Sequence, residues 1–158
     1  MSASIFESIR EFLLAQSVPF VEKQHEATHT SEQSAQARGE SLKIGAKALV
    51  VKTDSQYRLF VLPADRKLDS LSVKRQLGAK KIRFADAAEL LELTGLVPGS
   101  VPPFGRPILP LELVADPALT ENEKLAFNAG LLTHSIVMAV ADYRRVSGAL
   151  WLPISQPS

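Results

Sequence analysis

An α+β fold, with a mixed and mostly antiparallel sheet surrounded by short helices, follows from three features of the sequence. Strand-like and helix-like segments alternate without a regular βαβ repeat. Residues 46–62 read as a hairpin, Ala46 to Thr53 and Tyr57 to Leu62 around Asp54-Ser55, and this is the strongest β signal in the chain. At 158 residues the chain fits one domain, 1–158, with a core large enough to need no disulfide or metal.

Ser4-Ile5-Phe6-Glu7 has the pattern of a capping box, and Ile5, Ile9, Phe12 and Leu13 then share one helical face. Val18 to Lys23 is apolar and β-branched around Pro19, which suits an edge strand. Thr30-Ser31-Glu32-Gln33 opens a short helix that Gly39 can close in the left-handed conformation. After the hairpin, Asp69 or Ser70 caps a helix through Leu77, and Gly78 stops it. Lys81 to Phe84 is a short strand, and Asp86 to Glu89 opens a helix ending at Gly95. A strand is expected over Ile108 to Val114, then two more over Leu125–Phe127 and Ser135–Val140 around Asn128-Ala129-Gly130. A last helix capped by Asp142 follows, and the tail from Pro153 reads as loose.

Composition removes whole classes of chemistry. With no cysteine there is no thiol nucleophile, disulfide, iron–sulfur cluster or thiolate zinc site. No apolar run reaches membrane-spanning length, and the absence of a basic-then-apolar leader predicts a cytoplasmic protein. The net charge of +1 is uninformative, but its distribution is not: Lys74, Arg75, Lys80, Lys81 and Arg83 lie in a stretch without any acid. Such a stretch is either a solvated face or a strip that contacts phosphates. No G-x-S-x-G elbow, H-E-x-x-H pair, Walker loop or strand-linked G-x-G-x-x-G is present.

The most constrained stretch is Gly95 to Gly105, which holds three glycines and three prolines. Neither a helix nor a central strand can run through it, because proline lacks an N–H and fixes φ while glycine permits φ > 0. A shaped loop of this kind can turn backbone N–H groups inward to grip an anion or an ester carbonyl, or it can be a simple surface connection. Lys47 is the other unusual residue. Alternation places it on one strand face with Leu49 and Val51, so it either snorkels to the rim or points into a cleft. His134 opens an apolar strand, as a structural histidine or a pocket residue. His25 and His29 have i, i+4 spacing but precede a helix cap, with no third metal ligand nearby in sequence.

Gly45-Ala46-Lys47-Ala48-Leu49-Val50-Val51-Lys52, the loop with Pro103-Phe104-Gly105, Asp116 after an apolar strand, and Ala129-Gly130 followed by an apolar strand and Asp142 together resemble the YbaK/ProX family. That family includes the editing domain of bacterial prolyl-tRNA synthetases and its free-standing relatives, and the resemblance spans roughly residues 20–150. It implies a partly closed barrel-like sheet with short helices around it. The implied activity is hydrolysis of the ester on mischarged aminoacyl-tRNA, on tRNA(Pro) or a related tRNA, without metal or other cofactor. The implied partners are the acceptor end of mischarged tRNA and an aminoacyl-tRNA synthetase. By position, Lys47 and Gly99 carry over as catalytic residues. Thr30, Pro103, Phe104, Gly105 and Gly130 carry over to the substrate pocket; Ser100 of the loop and His134 are expected there from their own positions, and the basic stretch 74–83 would, by its charge, meet the nucleic acid. This chain has Asn128-Ala129-Gly130 where some relatives carry serine or a Gly-x-His arrangement, which bears on the amino acid accepted. Two other readings fit the same residues: a module that holds tRNA ends or nucleotides without cleaving them, and a regulatory protein that docks on a synthetase.

Overall fold

The computed structural model describes residues 2–158, and side chains from residue 5 onward. In chain order the elements are α1 (Ser2–Ala15), β1 (Phe20–Gln24), α2 (Ser31–Arg38), β2 (Ala46–Thr53), β3 (Gln56–Pro63), β4 (Arg66–Leu68), α3 (Ser70–Leu77), β5 (Ile82–Phe84) and α4 (Ala87–Thr94). They continue with β6 (Glu112–Ala115), β7 (Lys124–Leu131), β8 (His134–Ala139), α5 (Val140–Val146), β9 (Leu150–Trp151) and β10 (Ser155–Pro157), with 3-10 turns at Leu42–Ile44 and Pro117–Glu121.

The predicted hairpin forms the centre, with Ala46 opposite Pro63 and Thr53 opposite Gln56. It is extended to a five-stranded sheet of order β5-β2-β3-β6-β9, in which the β3–β6 and β6–β9 pairs are parallel. A second sheet of order β1-β8-β7 is antiparallel throughout, and β10 pairs with β4 as a two-stranded ribbon. The mixed, mainly antiparallel α+β architecture is therefore as read from the sequence. The partly closed barrel is not: among the described residues no sheet closes on itself, and the ladder contact between the two larger sheets is an isolated bridge between Gly45 and Ala126. Apolar packing between the faces replaces the hydrogen bonds that closure would need. Leu125 and Phe127 of β7 pack with Val50, Leu59 and Val61 of the hairpin, and Ile9 and Leu13 of α1 join the same core. The opposite face of the central sheet is also covered, since Val51, Phe60 and Val114 pack against Val73 of α3 and Ile154. Burial on both faces explains why Leu59-Phe60-Val61-Leu62 is a continuous apolar run without alternation.

Local signals set most boundaries. Asp69 and Asp86 cap α3 and α4 through the N–H groups of Ser72 and Glu89, Glu89 completes a capping box, and Gly78 and Gly95 end these helices at positive φ. Five readings change. α1 is already helical at Ser4, so the helix does not start there; the Ser4 side chain lies outside the described residues. The strand expected from Ile108 starts at Glu112, because the Ile108 and Leu109 N–H groups fold back onto the Gly105 carbonyl. β7 runs through Asn128-Ala129-Gly130, absorbing a bulge at positive φ on Gly130, so the turn falls at Leu132-Thr133. Asp142 lies inside the first turn of α5, where it pairs with Arg145 instead of capping.

The fifth change concerns the tail, which is docked. Ile154 is fully buried and its N–H donates to the Asp116 carboxylate at 2.9 Å, while the other carboxylate oxygen accepts from the Ala118 N–H at 2.7 Å. Asp116→Ala should therefore destabilise the protein by roughly 2 kcal/mol, the sum of a lost cap and an orphaned buried donor. Amide exchange at Ile154 should accelerate selectively; an unchanged protection factor there would separate the tail from this carboxylate.

Candidate active site

The site begins with α2. Thr30 accepts from the Gln33 N–H as N-cap, while the Gln33 side chain reaches the His29 N–H, one residue further back than a capping box requires. The fixed helix start puts Ser31, Ser34 and Arg38 on one face, at i, i+3 and i+7. That face forms one wall of a cleft of about 210 Å³. Gly45 to Leu49, at the start of β2, form the opposite wall, and Gly99 and Asn128 close the end. Lys47 and Gly99, the two residues expected to carry catalysis, thus line one cleft, with Thr30 at its exposed rim.

Lys47 is half-buried, and its Nζ donates to the Arg66 carbonyl at 2.6 Å, leaving two of its three donors uncommitted. Burial pushes its pKa down, partly offset by Glu32 and Asp65. Gly99 occupies a tight turn in which the Ser100 N–H donates to the Val97 carbonyl at 3.1 Å. Its φ of +88° excludes other residues without strain, and a Cβ there would sit 3.3 Å from Leu132. The turn is tied to β7 twice, by Asn128 Nδ2 donating to the Gly99 carbonyl at 2.8 Å and by the Gly130 N–H donating to the Ser100 carbonyl at 2.9 Å. Among the described residues the Gly99 N–H has no hydrogen-bond partner.

The floor was not legible in advance. Arg38 is buried, with Nε donating to Ser135 Oγ at 2.9 Å and Nη2 to Asn128 Oδ1 at 3.1 Å; Ser135 Oγ in turn donates to Asn128 Oδ1 at 3.0 Å. Desolvation lowers its pKa to about 10, against the pull of Glu40. Beside it Thr28 Oγ1 and Ser34 Oγ share a 2.7 Å hydrogen bond, both buried. The polar Ser31/Ser34/Arg38 stripe was the only signal in the sequence for these residues.

Other expected pocket residues lie elsewhere. Phe104 is in the core, its ring 5.5 Å from those of Phe127 and Tyr143 and 6.0 Å from that of Phe12. Pro103 and Gly105 are buried beside it: the Tyr143 hydroxyl donates to the Pro103 carbonyl at 2.6 Å, and a Cβ on Gly105 would lie 2.5 Å from the Leu111 carbonyl oxygen. These three residues anchor the loop from behind and do not line the cleft. Ser100 is buried too, its hydroxyl closing its own turn onto Val97. Gly130 stands behind the turn as a tether. His134 is half-buried, its Nδ1 paired with Thr133 Oγ1 at 2.7 Å and its ring against Phe6, outside the cleft lining. His25 Nε2 hydrogen-bonds Ser135 Oγ at 2.8 Å, and among the described residues no three His, Cys, Asp or Glu are grouped to hold a metal.

The basic stretch surrounds a second, open concavity of about 400 Å³ lined by Lys74, Lys80, Lys81 and Arg83 together with Lys52 and Asp54. Arg75 is exposed on α3 but does not line it. Arg83 is committed to Glu89 through two contacts of 2.6 and 2.8 Å, and the Asp54 carboxylate accepts from the Lys80 and Lys81 N–H groups. This concavity and the cleft sit at opposite ends of β2, about 20 Å apart at the rise of a β-strand. No helix among the described residues is long and apolar enough to cross a membrane.

Residues 25–146 match a family model described as aminoacyl-tRNA editing domain. The chain is 41% identical over 129 residues to a multifunctional Ser/Thr-tRNA deacylase of Escherichia coli, covering 78% of this chain and 76% of that protein. It is 33% identical over 100 residues to a proline–tRNA ligase of Shouchella clausii, covering 63% of this chain but 17% of the ligase. The crystal structure of a candidate trans-editing enzyme for prolyl-tRNA synthetase superposes with a TM-score of 0.81 at 24% identity, over 96% of this chain and 97% of that one, which shows the shared fold.

Proposed function

The chain belongs to the aminoacyl-tRNA editing domain family, and on that premise we propose that the cleft between α2, β2 and the Gly99 turn hydrolyses the ester that joins a wrong amino acid to the terminal adenosine of a tRNA. One observation carries the assignment to this cleft: a partly desolvated ammonium, Lys47, and a backbone turn with an uncommitted N–H, Gly99, line the same small cavity. Residues 25–146 would supply the editing domain that acts on the mischarged tRNA.

Ester hydrolysis needs an attacking oxygen and a place for the negative charge that forms as the carbonyl carbon becomes tetrahedral. Water supplies the oxygen; its bond to the carbonyl carbon forms, the bond to the ribose oxygen breaks, and a proton returns to that ribose oxygen. The neighbouring ribose hydroxyl can orient the water, and an aminoacyl ester is labile enough for orientation and charge stabilisation to suffice. The Gly99 N–H and the Lys47 ammonium hold the oxyanion or the phosphate next to it. Fixed donors in a site of this size act at low dielectric and need no reorganisation during the reaction. The cavity is below the usual range for small-molecule pockets, which admits a small acyl group and excludes large ones. Small amino acids are the substrates this size favours, and serine and threonine, in the name of the Escherichia coli relative, are among them.

Incubating the purified protein with alanyl-, cysteinyl-, seryl- and threonyl-tRNA, on tRNA(Pro) and on a second tRNA, and following ester loss tests the assignment. Turnover of at least one small aminoacyl group is expected; tight binding without ester loss on any of them would leave a non-catalytic tRNA-end module. The basic concavity is proposed to meet acceptor-stem phosphates. A Lys80→Glu, Lys81→Glu double variant should then weaken tRNA binding and reduce the slope of log K against log[salt] by about 2, while cleavage of a short aminoacyl-adenosine mimic stays unchanged. An unaltered slope would make the stretch a solvated face.

A further inference from the structure

Arg38, Ser34 and Thr28 are buried to more than nine-tenths, whereas Lys47 is half-buried and Gly99 is exposed, so the first three are the floor of the cleft and the last two its mouth. The floor holds a full positive charge, and among the described residues no carboxylate is within salt-bridge distance of it; Glu40, which acts on it through space, is held by Lys124 at 3.0 Å and Lys23 at 3.5 Å. Neutral oxygens of Ser135 and Asn128 occupy Nε and Nη2, while Nη1 makes no hydrogen bond among the described residues. Arg38 and Gly45 both line the cleft, and a Cβ on Gly45 would meet Ala64 Cβ at 2.9 Å and the Leu42 carbonyl oxygen at 3.2 Å, so a glycine is needed for β2 to pass this close to the guanidinium. The Thr28–Ser34 hydroxyl pair uses one of its two protons internally, which leaves one O–H and several lone pairs for a third partner.

Resting on the deacylase reading above, we propose that Arg38 with the Thr28–Ser34 pair reads a hydroxyl on the side chain of the bound amino acid, and so sets a preference for seryl and threonyl over alanyl esters. A tRNA end enters with its acyl group leading, and its phosphates stay on the mouth side of the ester. Only the amino acid's own substituents reach the floor. The guanidinium repels the α-ammonium, so the floor takes the side chain. A neutral hydroxyl fits: its oxygen accepts from Nη1, and its proton goes to the Thr28–Ser34 pair. An alanyl methyl at the same place would leave these buried donors facing carbon, which is how a site built for a hydroxyl rejects its deoxy analogue.

The test compares kcat/KM for seryl-, threonyl- and alanyl-esters of one tRNA in wild type, Thr28→Val, Ser34→Ala and Arg38→Met, with thermal melts on each. The first two are near-isosteric surrogates that keep the fold testable if Arg38→Met does not fold. The seryl-to-alanyl and threonyl-to-alanyl ratios of kcat/KM should fall roughly 10- to 100-fold in the folded variants. Equal losses on all three esters, or an unchanged ratio, would overturn the inference and make the floor a scaffold only. Wild-type turnover of alanyl but not seryl or threonyl esters would overturn it while leaving the deacylase reading intact; no turnover of any ester would remove that reading as well.

Discussion

Lys47→Ala is expected to leave the protein folded and to lower kcat/KM for deacylation by about 10²- to 10³-fold, the loss associated with one preorganised donor at a developing oxyanion. Little stability should go with it. The variant gives up one hydrogen bond to the Arg66 carbonyl, but it also removes a half-buried ammonium whose charged form burial disfavours. A companion pH profile gives the sign. In the proposed mechanism Lys47 acts as a cation, and burial shifts its pKa down, so the catalysed rate, corrected for hydroxide-driven ester loss, should decline with rising pH earlier than an ordinary lysine would allow. Wild-type rates in Lys47→Ala, or a profile flat through the depressed pKa of Lys47, would take the lysine out of the mechanism.

Lys47 and the Gly95–Gly105 loop were conspicuous in the sequence because each breaks a local rule: a cation in an apolar strand, and a segment barred from both regular structures. The hairpin and the caps at Thr30, Asp69 and Asp86 were legible for the same reason, since turn chemistry and capping act over three or four residues. Long-range features were not. Arg38 closes a helix whose cap is obvious, yet its burial depends on Asn128 and Ser135, some 90 residues further on. Ile154 looks like part of a polar tail until Asp116, 38 residues earlier, takes its N–H. The bulge at Gly130 hid a continuous β7, because a single glycine at positive φ in a strand reads as a turn when the partner strand is unknown. The family resemblance carried Pro103-Phe104-Gly105 over as one motif, but proximity in sequence to Gly99 did not make those residues neighbours of the cleft.

Phe104→Ala separates the two halves of that loop. The ring is 2% exposed and meets Phe12 of α1, Phe127 of β7 and Tyr143 of α5, so it joins three elements remote in sequence. Truncating it should cost roughly 3–5 kcal/mol, enough to lower Tm by roughly 10 °C in a chain of this length. Gly105→Ala should be comparably damaging, because its Cβ would meet backbone, which cannot swing aside as a side chain can. Activity behaves differently from stability here. The Gly99 turn is held by Asn128 and Gly130 and not by the Phe104 ring, so the folded fraction of Phe104→Ala at low temperature should retain most of its kcat. Lys47→Ala is its mirror image, stable and inactive. A Phe104→Ala protein with wild-type Tm and lost deacylation would mean that the ring meets substrate, and that the loop presents its core-facing half to the cleft when a tRNA end is bound.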